Sequence, residues 1–129
     1  DISFPVFSKN AYVNWEKVSK RAWLDIATVN AACKFEGEDN HFTRASMALG
    51  GVSATPLYLK EASAFLDGKP VSMDTFLDCL AIALSEFEPI GDVRGSAHYK
   101  RLLARQLLLA NFVKLFPETI NQEALYAAL

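Results

Sequence analysis

The chain has 129 residues, enough for one ordinary domain, and its 51% hydrophobic and 22% charged side chains suit a globular core rather than a disordered chain. A net charge of −2 and a pI near 5.7 give no electrostatic pull on nucleic acid. No apolar run reaches the roughly 18 residues of a membrane span, and the longest, around Leu107–Ala110, is flanked by Arg105 and Lys114.

Residues 1–11 are interrupted by proline and carry no period, so they read as a joint. Their start, Asp1-Ile2-Ser3, lacks the basic-then-apolar layout of a secretion signal, which points to a cytoplasmic parent or a segment excised from one. Tyr12, Val13, Trp15 and Val18 favour a strand over Tyr12–Lys20, because β-branched and aromatic side chains suit a pleated surface. A second strand spans Ile26–Phe35: Ala27, Val29, Ala31, Cys33 and Phe35 share one face, and Thr28, Asn30 and Lys34 the other. Glu36-Gly37-Glu38-Asp39-Asn40 is a hairpin signal, since Gly and Asn tolerate positive φ. The returning strand, Phe42–Leu49, is expected to bury Thr43, Ala45, Met47 and Leu49 and to expose Arg44 and Ser46.

Gly50-Gly51 ends that strand, and helical periods follow. Leu59–Leu66 is a short helix stopped by Asp67-Gly68. Ser72 caps Met73–Phe87, whose stripe is Phe76, Leu77, Leu80, Leu84 and Phe87. A third helix over Ser96–Phe116 is expected to bury Tyr99, Leu102, Leu103, Leu109, Ala110 and Val113, with Lys100, Arg101 and Arg105 opposite. Pro117 stops it, and residues 118–129 form a tail with at most one weak turn. Strands first and helices afterwards predict an α+β two-layer sandwich: a three-stranded antiparallel sheet with three helices on one face, over residues 12–117.

Chemistry is sparse. Cys33 and Cys79 have no metal-ligand spacing and read as buried free thiols, and His41 and His98 are isolated, so no metal site is expected. Asp74 and Asp78, at i, i+4, read as a solvated helix face with favourable first-turn charge. Gly50-Gly51-Val52-Ser53 lacks phosphate-loop spacing and reads as a strand-ending turn. Lys17, Lys20 and Arg21 make a small basic cluster. Asp92 and Arg94 suit a loop entering a helix, with Ser96 as its cap. No Ser–His–Asp or Cys–His arrangement has local support, so catalytic residues are none.

Four stretches, in order, carry a resemblance. They are Trp15-Glu16-Lys17-Val18-Ser19-Lys20-Arg21, Asp25-Ile26-Ala27-Thr28-Val29-Asn30-Ala31-Ala32, Ala45 through Gly50-Gly51 to Pro56, and Asp92-Val93-Arg94-Gly95-Ser96-Ala97-His98-Tyr99-Lys100-Arg101. Together they resemble the C-terminal domain of the flavoprotein part of the xanthine dehydrogenase and carbon monoxide dehydrogenase family, and look most like bacterial xanthine dehydrogenase small subunits. Ile2-Ser3-Phe4-Pro5 is similar to the end of that family's preceding FAD-binding domain.

The resemblance implies a redox chain. A molybdenum cofactor on a partner subunit hydroxylates a purine, iron–sulfur clusters in another domain pass electrons to FAD, and NAD accepts them as hydride. FAD would rest mainly on the upstream FAD-binding domain, with this domain closing over part of the flavin, so activity would belong to the full-length oxidoreductase and the isolated domain would be inactive. Lys17 matches a lysine that approaches the flavin in mammalian members, where a cation would favour the reduced, anionic ring. Val18 to Thr28 matches a loop affecting access of NAD, but Trp23 and Leu24 stand where the mammalian loop is more acidic. Arg94 and Ser96 read as a cap or subunit contact. Substrate is not legible, since relatives act on carbon monoxide, nicotinate or aldehydes. The contrasting possibility is a free-standing protein-interaction module with the same fold and no redox role.

Overall fold

A computed structural model describes residues 1–3, 6–120 and 125. Four strands come first, β1 (Ala11–Val18), β2 (Val29–Glu38), β3 (His41–Gly50) and β4 (Leu57–Tyr58), then three helices, α1 (Lys60–Phe65), α2 (Met73–Ser85) and α3 (Ala97–Leu115). The sheet order is β1-β2-β3-β4 and every pairing is antiparallel. Most of the expected tail lies outside the described residues; Pro117–Thr119 form a turn.

Two alternating strands build the buried face. Val29, Ala31, Cys33 and Phe35 of β2 lie beside Leu49, Met47 and Ala45 of β3, and all seven are buried. α3 packs on β1 and β2, α1 on β3, and α2 bridges α1 and α3. Phe35, Phe42, Phe76, Phe112 and Phe116 meet with neighbouring ring centroids 4.5–5.7 Å apart, joining both layers. Such pairs each add about 0.5–1.5 kcal/mol beyond the area they bury. α2 begins on the expected cap, Ser72, whose hydroxyl accepts from the Thr75 amide. α1 has no side-chain cap of its own; the Glu86 carboxylate, just past α2, accepts from the Glu61 and Ala62 amides instead.

Four details differ from the expected pattern. β4 is a fourth strand, pairing Leu57 and Tyr58 with Leu49 and Ala48; two residues are too few to show a period. The β2–β3 register shifts at Glu36/Gly37, where Arg44 pairs with Glu36 and Phe42 with Gly37. That leaves Thr43 as the extra residue of a bulge, so it is exposed and Phe42 is buried. β1 ends at Val18 and β2 starts at Val29, and Thr28, expected on the outer face, is buried beyond the strand's alternation.

The last difference is in α3, which buries Lys100, Ala104, Leu107, Leu108, Leu109, Asn111 and Phe112, whereas Tyr99, Leu102 and Ala110 are exposed. Its inward stripe was hidden because two members are polar. Both are satisfied. Lys100 Nζ meets Asp92 Oδ2 at 2.9 Å and donates to the Ile90 carbonyl at 3.1 Å. Asn111 Nδ2 donates to the Leu107 carbonyl at 2.8 Å, and its Oδ1 accepts from Asn14 at 3.0 Å. Asn14 also donates to Glu16, which binds Lys114, so a polar thread fastens β1 to α3.

Candidate functional site

Antiparallel pairing places Lys17 opposite Asn30, and Asn30 opposite Gly50, on the sheet face that carries no helix. Trp15, Ala32, Ala48 and Tyr58 form the next row, with Trp15 and Tyr58 about half exposed. The Asn30 amide occupies the space above Gly50, where an added Cβ would fall 2.7 Å from Asn30 Nδ2.

The four stretches that carry the family resemblance converge at this end. β1 runs out, β2 starts, β3 turns away and α3 begins there. Thr28 is the hub. Its amide donates to the Val18 carbonyl at 2.8 Å, and its own carbonyl backs onto Gly51, whose φ is +84°. A Cβ at Gly51 would lie 2.3 Å from that oxygen, so the glycine is required by close backbone packing. A Cβ at Gly95 would meet the Tyr99 ring at 2.8 Å. Between these segments lies an open cleft of about 520 Å3, lined in part by Thr28, Asn30, Ser53, Asp92, Arg94 and Lys100.

The loop after β1 is braced by its own hydrogen bonds. Asp25 accepts from the Arg21 and Ile26 amides, and Arg21 donates to the Leu24 carbonyl. The Arg21 amide bond, with the nearby guanidinium, holds the Asp25 carboxyl below the usual carboxylate range. Leu24 has a φ of +48°, costly for a side chain with a Cβ, yet Trp23 and Leu24 at the tip are 84% and 97% exposed. A second turn faces this loop. Asp92 and Gly95 exchange backbone hydrogen bonds, Asp92 Oδ1 accepts from the Arg94 amide, and Oδ2 meets Lys100. Lys100 first, and the Arg94 amide second, lower the Asp92 pKa.

Lys17 is exposed, and among the described residues its ammonium donates to the Asp25 carbonyl at 3.2 Å and enters no ion pair. Lys20 reaches across to the Val93 carbonyl at 2.7 Å, and Arg21 pairs loosely with Asp25 at 3.7 Å. The basic cluster is therefore divided among four acceptors, the Asp25, Val93 and Leu24 carbonyls and the Asp25 carboxylate. Arg94 stays at the rim near Asp92, and Ser96 caps α3. Asp74 and Asp78 lie on an exposed helix face and do not line the cleft. Sequence reasoning missed Thr28 and Lys100. The spacing of Asp92 and Lys100 about a helix start was the only available signal for the latter. Both cysteines are buried free thiols; burial raises both pKa values, that of Cys79 to about 12. Among the described residues no group of three or more His, Cys, Asp or Glu side chains gathers as a metal site, and no helix is long and apolar enough to cross a membrane.

Residues 16–115 match the sequence profile of the CO dehydrogenase flavoprotein C-terminal domain family. The chain is 31% identical over 117 residues to a xanthine dehydrogenase of Emericella nidulans, aligning 88% of itself with 8% of that protein. It is 29% identical over 108 residues to the carbon monoxide dehydrogenase medium chain of Hydrogenophaga pseudoflava, spanning 84% of itself and 37% of that chain. Among solved structures, a carbon monoxide dehydrogenase from H. pseudoflava superposes with a TM-score of 0.80 at 25% identity, covering 90% of this chain and 40% of the other. The reconstituted CO dehydrogenase from Oligotropha carboxidovorans gives a TM-score of 0.76 at 27% identity, with the same coverage of 90% and 40%. The chain thus spans well under half the length of these relatives.

Proposed function

Because this chain belongs to the CO dehydrogenase flavoprotein C-terminal domain family, we propose that it closes the FAD site of a xanthine dehydrogenase-type molybdenum hydroxylase. One observation carries the reading: the four motif stretches meet at one end of the sheet, with Lys17 exposed beside an open cleft. Lys17 spends one N–H on a neutral carbonyl, which leaves its charge available to an incoming anionic edge.

The residues present fit the covering of a flavin rather than its full binding. Gly50 and Gly51 are explained by Asn30 and Thr28 against them, and the described cleft has no anion-gripping loop. FAD, when bound, would supply the transfer of electrons from iron–sulfur clusters to NAD. This chain's part is to present the Lys17 ammonium and to hold the Trp23–Leu24 loop at the site's mouth. An upstream FAD-binding domain, an iron–sulfur domain and a molybdenum-cofactor subunit are the partners, and purine hydroxylation in the cytoplasm is the activity they complete. Similarity to the xanthine dehydrogenase supports the purine choice, and oxidation of carbon monoxide by the complete enzyme would replace it.

The test is Lys17→Met in the complete enzyme. Met keeps most of the stem's volume and removes the charge. A charge-assisted hydrogen bond contributes about 1.5–3 kcal/mol, or roughly one to two decades in rate. NAD-linked turnover is expected to fall by that factor, while reduction of a dye that takes electrons upstream of the flavin stays near normal. Equal, near-normal rates with both acceptors refute the role.

A further inference from the structure

We propose that Lys100 and Lys20 are positioning residues acting in series, a strut between α3 and the loop that accepts Lys17. The inference rests on the flavin-closing reading only for its consequence at Lys17; the strut itself is a property of this chain.

Its inner end is buried. Lys100 is 4% exposed and ties α3 to the segment that enters the turn after α2, through Asp92 and the Ile90 carbonyl. A buried ammonium without these partners would be costly, so the turn is held where Lys100 requires it. Asp92 divides its carboxylate, one oxygen on Lys100 and one on the Arg94 amide, and so passes that constraint to the tip. The Asp92–Gly95 backbone bonds leave Val93 and Arg94 at the apex. The Val93 carbonyl then receives Lys20, 73 residues away in sequence. Lys20 stands at the root of the loop that offers the Asp25 carbonyl to Lys17. Exposed lysine hydrogen bonds are individually weak because water competes and the stem is flexible. This one gains from an acceptor whose position is already fixed.

Amide hydrogen exchange of this chain tests the series, since no flavin enters the measurement and the flavin reading can stand or fall separately. The probes are the Arg21 and Ile26 amides, which bond to Asp25 within the loop. Lys20→Met is expected to raise their exchange about two- to fivefold, as expected for losing one exposed charged hydrogen bond, with the β2–β3 amides unchanged. Lys100→Met, on another element, is expected to do the same. The double variant is expected to match the larger single effect, and Lys20→Arg, which still donates to the carbonyl, to restore protection. If Lys100→Met compromises folding, Asp92→Asn interrupts the same series at its partly exposed carboxylate. Loop exchange unchanged in Lys100→Met and Asp92→Asn, or single effects that multiply in the double variant, overturns the proposal.

Discussion

Replacing Asn111 by Ala or by Asp separates packing from polarity in the thread that joins β1 to α3. Asn111 is fully buried. Its amide group donates to the Leu107 carbonyl and accepts from Asn14, and Asn14 keeps Glu16 as a partner when Asn111 is truncated. Ala therefore leaves no orphan. Two hydrogen bonds at about 0.5–1.5 kcal/mol each are lost, and a vacated volume of roughly 30 Å3 adds about 0.7 kcal/mol at 24 cal/mol per Å3. The sum is about 2–4 kcal/mol. Asp is expected to cost more than 3 kcal/mol at pH 7, because a buried carboxylate would face the Leu107 carbonyl oxygen where an N–H now donates. Burial raises such a carboxyl above its unfolded value near 4, so the protonated form is favoured in the fold. The deficit of Asn111→Asp relative to the wild type must therefore grow as pH rises through and above 4, and shrink as pH falls. Urea denaturation followed by tryptophan emission at pH 4.5 and pH 7 measures both. An Asp variant as stable as the wild type at pH 7 would refute the buried thread.

Two further outcomes follow from burial and register. The native protein should resist thiol reagents at pH 8, because burial keeps Cys33 and Cys79 protonated, with Cys79 pushed up to about 12; urea should release both, and rapid labelling without denaturant would contradict their placement. Phe42→Ala should lose about 3–5 kcal/mol, while Thr43→Ala should change stability by less than about 0.5 kcal/mol, as read by denaturation midpoints; the reverse order would restore the unbroken alternation and remove the bulge.

Local patterns were legible where one physical rule governed many consecutive residues. Val29 to Phe35 alternate because one face is buried, and Ser72 and Ser96 cap because each precedes orphan amides. Reading failed where a rule was interrupted. Thr43 breaks the period through a bulge, and Lys100 and Asn111 are polar yet inward because each has a hydrogen-bonding partner outside α3. The site was legible in its parts but not in its assembly. Lys17 and the glycine turn stood out as motifs, whereas the Lys20–Val93 bond and the packing of Thr28 against Gly51 join segments that only folding brings together.

The Lys17 ammonium is proposed to lie close enough to a flavin to bias its electron affinity. The most direct measurement is the two-electron midpoint potential of FAD in the full-length flavoprotein, compared between wild type and Lys17→Met at equal FAD content. Losing a charge that favours the reduced ring by about 1.5–3 kcal/mol lowers the potential by about 30–60 mV, since 1.4 kcal/mol corresponds to about 30 mV for two electrons. A drop of that size is the predicted result. Identical potentials in the two proteins would contradict the claim and leave Lys17 as the tether of its own loop.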